Sequence, residues 1–160
     1  MLNDSNPLTE IALHECSHAV IHHYFSHEIR EVVVGNDDGH CQLAEQSVST
    51  YDYIIGLCAG KAGMDRWYGC KSEEDQNWRE SKDRKQAFAA ALKASDGDTQ
   101  AAELLTAWGQ RMAEVLVDRP WPQIHKLAGA VIERGTLSGE QVTQILNGSN
   151  DEGHKAQVLE

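Results

Sequence analysis

The sequence predicts a single, mainly α-helical domain carrying a small β-sheet or hairpin. Three observations carry that expectation. Apolar residues recur at three- and four-residue spacing through most of the chain, as amphipathic helices require. One segment, Ile29 to Val34, is instead β-branched and ends at the turn-forming Gly35-Asn36-Asp37-Asp38-Gly39. The 160 residues match one ordinary domain, and no linker or internal repeat divides them.

Taken in order, residues 1–8 are polar and read as a flexible N-terminus. Thr9 is a suitable N-cap for a first helix over residues 10–25, where Ala12, Ala19, Val20 and Ile21 repeat at helical spacing. Residues 40–45 should return as a second strand beside Ile29 to Val34. Residues 51–67 read as a helix whose Gly56, Ala59, Gly60, Ala62 and Gly63 allow close packing. Residues 69–78 are polar and loop-like. Ser81 can cap a helix over residues 82–94, which Ser95-Asp96-Gly97 breaks. Asp98 or Thr99 opens the next helix, as far as residue 117, and Asp118-Arg119-Pro120 ends it. Residues 121–134 and 138–146 complete the helices; Ser138 and Gln141 have capping-box form. Residues 147–160, rich in Gly, Ser, Asn and charge, read as a disordered tail. The four tryptophans are expected in the core or at helix contacts.

The composition narrows the function. A net charge of -11 repels phosphate backbones, so nucleic acid is not an expected partner. Four cysteines, none in a CxxC pair, are too few for a disulfide scaffold and read as reduced thiols. The start Met1-Leu2-Asn3-Asp4-Ser5-Asn6-Pro7 lacks a basic and apolar signal, and no run is long enough to span a membrane. A cytoplasmic protein with no membrane partner is the expectation.

The chemistry is concentrated in His14-Glu15-Cys16-Ser17-His18. On a helix, four residues advance ~400° and ~6 Å, so His14 and His18 project from one face toward one ion. Glu15 lies beside them, where a carboxylate can take a proton from water next to that ion. Two histidines with a carboxylate suit Zn2+. A catalytic zinc needs a third protein ligand. His22 lies eight residues from His14, ~12 Å along a straight helix, too far for the same ion. The third ligand is therefore expected from a later element, with Asp83, Asp65, Glu73, Glu74 and Asp75 as candidates. His40, Cys41 and Cys70 form a minor candidate for a second metal site.

The order of segments resembles the peptidase domain of the FtsH-type AAA+ zinc metalloproteases. The resemblance rests on Thr9-Glu10-Ile11-Ala12-Leu13-His14-Glu15-Cys16-Ser17-His18-Ala19-Val20 and on Leu57-Cys58-Ala59-Gly60-Lys61-Ala62-Gly63. It also rests on Leu127 to Val142, with its Gly135-Thr136-Leu137 turn. Together these cover most of residues 9–146, the expected zinc metallopeptidase-like domain. The resemblance implies a helical zinc-peptidase fold, His14, His18 and Asp83 as metal ligands and Glu15 as the catalytic base. The chain departs from the family at Ser17 and Met64, where glycine and glutamate are usual, and around Asp83, where only Ala87 also matches well. It also has no phosphate-binding loop for the ATPase domain the family carries.

The expected function is that of a zinc-dependent endopeptidase acting on unfolded or flexible polypeptide, with a separate ATPase as a conceivable partner. The oligomeric state does not carry over, because family hexamers assemble partly through the ATPase. The strand Ile29 to Val34 or its neighbour would offer an edge to an extended substrate. The alternative is a non-catalytic metal-binding or protein-interaction domain derived from the peptidase fold.

Overall fold

Two helices, α1 (Leu8–Tyr24) and α2 (Thr50–Tyr68), form the most extensive helix contact of the molecule. The computed structural model describes residues 2–69 and 76–157. The first helix begins two residues earlier than expected, at Leu8, with Pro7 in place of Thr9 as its cap. Pro7 has φ -61°, already helical, and Asn6 Oδ1 accepts the Leu8 N–H at 2.9 Å. Thr9 instead turns its hydroxyl to the Asn3 carbonyl at 2.7 Å. The contact between α1 and α2 is made possible by Gly56, Gly60 and Gly63, spaced as one helical row. A Cβ at these positions would meet His22, the His14 and His18 rings, and Ser17, in that order.

Between these helices lie β1 (Ile29–Val34) and β2 (Gly39–Leu43). They pair antiparallel, Val34 opposite Gly39 and Ile29 opposite Leu43, with an irregularity at the Ile29 end. A third strand, β3 (Thr136–Ser138), was not expected, because three residues are too few for a visible alternation. It pairs antiparallel with β1 on the other side, so the order is β2-β1-β3. Of the two strands expected to offer an edge, Ile29 to Val34 is central, and its neighbour β2 lies at the sheet edge.

After α2 the described chain resumes at α3 (Gln76–Glu80), a short helix inside the segment expected to be a loop. Next come α4 (Lys82–Ala94) and α5 (Thr99–Leu116). Their caps follow the sequence: Ser81 Oγ accepts from Arg84 N at 3.1 Å, and Asp98 Oδ1 from Ala101 N at 2.7 Å. The chain closes with α6 (Trp121–Arg134) and α7 (Gly139–Gln157). The Ser138–Gln141 capping box forms reciprocally, at 2.9 and 3.2 Å. The expected tail from Asn147 is helical as far as Gln157; its polar sequence contains no proline to stop the helix.

The core is one cluster built by Leu13 and Ile21 of α1, Val32 of β1, Ile54 of α2, Ile124 and Leu127 of α6, Leu137 of β3 and Val142 of α7. Trp67, Trp78 and Trp121 pack against it as expected. Trp108 differs: it stays 42% exposed on α5, with the Tyr51 ring edge-on at 6.0 Å.

Candidate metal centre

The inner face of α1 carries His14 and His18 one turn apart, against the small residues of α2. The Gly56 carbonyl lies 2.8 Å from His18 Nδ1. A carbonyl can only accept, so Nδ1 carries the hydrogen and Nε2 is the nitrogen turned outward. Such a contact fixes the tautomer and ring plane of a metal-binding histidine.

Asp83 arrives from α4, in the first turn after the Ser81 cap, where the helix dipole favours a carboxylate. Its Oδ2 lies 3.1 Å from His14 Nε2 and 3.0 Å from His18 Nε2. The two Nε2 atoms are themselves 3.1 Å apart. Three donor atoms from two helices thus form a nearly equilateral triangle. Zinc bonds of ~2.0–2.1 Å in tetrahedral geometry separate ligands by about 3.3 Å, so this set fits such an ion. Among the described residues, His14, His18 and Asp83 are the one group of three that could hold a metal.

Electrostatics favour the same cluster. Burial lowers the His18 pKa, but the hydrogen bond and charge of Asp83, the charge of Glu15 and the Gly56 carbonyl outweigh it and push it up to about 9. Burial raises that of Asp83, yet hydrogen bonds and charges from both histidines hold its carboxyl far below the usual carboxylate range. Protonated His18 and ionised Asp83 thus pair, and a metal ion held there would displace the His18 proton.

Glu15 is half-buried and lines a cavity of about 750 Å³ together with His18 and Asp83. The edge strand β2 forms another wall through Gly39, Cys41 and Leu43, and α2 adds Tyr53 and Leu57. β2 rests directly on α1, since a Cβ on Gly39 would meet Ile11 Cγ2 at 2.7 Å and Glu15 Cγ at 3.0 Å.

The remaining candidates do not join this group. Asp65 is paired with Lys61 at 2.6 Å. Glu73, Glu74, Asp75 and Cys70 lie outside the described residues. His22 also lines the cavity, but its Nδ1 faces His27 Nδ1 at 2.8 Å. Burial, with the charges of His18 and His27, holds its pKa down to about 3. Cys16 is fully buried in the core, and burial pushes its thiol well up, the behaviour of a packing residue. His40 also lines the cavity, but it is exposed and paired with Glu31 at 3.0 Å.

Sequence reasoning did not identify the role of Gly60 or of the Gly56 carbonyl. The signal was present as small residues at helical spacing, but spacing alone does not say which helix they face. A Cβ at position 60 would collide with His18 Nε2 and His14 Nε2. For a metal ion held by this group, Gly60→Ala should therefore weaken binding by ~10–100-fold, as loss of ligand positioning does. Titration against a chromophoric chelator measures this, with Gly129→Ala, which meets no atom within 4 Å, as the neutral comparison. Wild-type affinity in Gly60→Ala would contradict the packing account.

Compared with known proteins, the chain matches no family model and no curated sequence. The functional reading rests on the residues themselves.

Proposed function

We propose that this chain is a zinc-dependent endopeptidase that hydrolyses peptide bonds in unfolded or flexible polypeptides. The observation that carries the reading is the convergence of Asp83 Oδ2 on both histidine Nε2 atoms, beside the cavity that Glu15, His18 and Asp83 line. The resemblance of the His14–His18 segment to FtsH-type peptidases supports it. His14, His18 and Asp83 would hold the ion, and Gly56 keeps His18 turned toward it. Zinc, when bound, supplies Lewis-acid polarisation of a carbonyl and makes water more acidic.

The chain's own residues do the rest. Glu15 accepts the proton of the attacking water as its oxygen bonds to the carbonyl carbon. When the carbon–nitrogen bond breaks, the same carboxyl returns a proton to the leaving amine. The outer edge of β2 borders the cavity and suits an extended peptide laid beside it as a further strand. That demand for extended chain is why unfolded polypeptide is the substrate class. A separate ATPase that unfolds proteins would be the natural partner. The acidic charge disfavours nucleic acid, and no helix among the described residues is long and apolar enough to cross a membrane. We place the activity in the cytoplasm and leave oligomerisation open.

The test is casein cleavage by zinc-loaded protein, with and without a chelator. The reading expects cleavage that the chelator stops. Intact casein with zinc-loaded protein would favour the non-catalytic metal-binding reading.

A further inference from the structure

The wall of the cavity contributed by α2 carries Tyr53. Its ring is half-buried, packs against the core cluster and lies 6.3 Å from the His22 ring. Its phenolic oxygen makes no hydrogen bond among the described residues. Burial, and next the negative charge of Asp83, push the phenol up, so it keeps its proton at neutral pH.

Among the other side chains of the cavity, none combines a strong free donor with a fixed position, since the Cys41 thiol donates only weakly. His40 is paired with Glu31, and His22 with His27. Lys82, Gln42 and Gln86 are exposed side chains that must be ordered before they can act. A donor held by packing stabilises developing charge without that cost. Tyr53 is held by packing in this way, on a helix other than the one carrying Glu15.

We propose that Tyr53 is a catalytic residue that donates its phenolic hydrogen bond to the carbonyl oxygen of the peptide under attack. The assignment rests on the peptidase reading. As the water oxygen bonds to the carbonyl carbon, the carbonyl π pair moves onto oxygen, and the Tyr53 O–H stabilises the negative charge formed there. Glu15 receives the proton of the water and passes it to the amine when the carbon–nitrogen bond breaks. Tyr53 keeps its proton throughout.

Tyr53→Phe keeps the ring and removes the donor. Its zinc content should equal that of wild type, KM should hold, and kcat on a casein-derived peptide should fall ~10²–10³-fold, the usual effect of removing one such donor. A second readout needs no turnover. Binding of a phosphinic peptide, whose tetrahedral phosphorus and charged oxygens imitate the attacked carbonyl, should weaken by a similar factor in calorimetry on zinc-loaded protein. Binding of the uncleaved peptide to Glu15→Gln should be the same with and without Tyr53→Phe. Unchanged kcat, a loss confined to KM, or equal affinity for the phosphinic peptide would overturn the assignment while leaving the peptidase reading intact. A wild type that neither cleaves casein nor binds the phosphinic peptide would remove both.

Discussion

Glu15→Gln should leave the fold and the zinc content unchanged while casein cleavage falls ~10²–10⁴-fold, the usual cost of losing a general base. The expectation follows from position. Glu15 sits between the two histidines in sequence but is not among the three atoms that converge, and its side chain lines the cavity instead. The amide keeps the size and shape of the carboxylate, so packing under Gly39 is preserved. What disappears is the oxygen able to take a proton from water. Measuring wild type and variant side by side on casein, with zinc determined on the same samples, separates chemistry from metal loss. Equal cleavage by both would mean that the activity belongs to another base or to a contaminant.

Asp83→Ala should be the most damaging substitution for metal binding outside α1. It removes one of three donor atoms, and the expected loss of zinc affinity exceeds the ~10²-fold typical of changes to residues that only orient the ligands. It also takes the carboxylate partner from both histidines. Asp65→Ala and Glu74→Ala are the informative comparisons, since the sequence offered both as ligands. Asp65 holds Lys61, which is only 9% exposed, so its loss should lower stability by stranding a buried charge and leave zinc affinity near wild type. Equilibrium zinc titration, not expression yield, is therefore the readout. Equal loss of affinity in all three variants would show that the wrong carboxylate has been assigned.

Much of this was legible in the sequence, for physical reasons that differ from element to element. Helices α4 and α6 follow their expected limits closely because capping residues and a proline mark their ends. The pair His14 and His18 was legible because helical periodicity alone puts them on one face. Asp83 was not singled out by chemistry: several carboxylates were equally suitable, and only the resemblance preferred it. What brings it to the histidines is the packing of α4 on α2, a long-range contact that no local pattern encodes. The same limit hid β3, whose three residues become a strand only because β1 is there to pair with them. Tyr53 was invisible as a site residue, since its place on the cavity wall depends on how α2 lies beside α1.

On the proposed reading, His14, His18 and Asp83 together hold one zinc ion. Elemental analysis of the protein purified without chelator tests it most directly, alongside His14→Ala and Asp83→Ala prepared identically. The account predicts about one zinc per wild-type chain, as a single three-ligand site requires, and a marked loss in each variant. A correctly folded wild type that carries no metal and takes up none on adding zinc, or variants that retain a full equivalent, would contradict it.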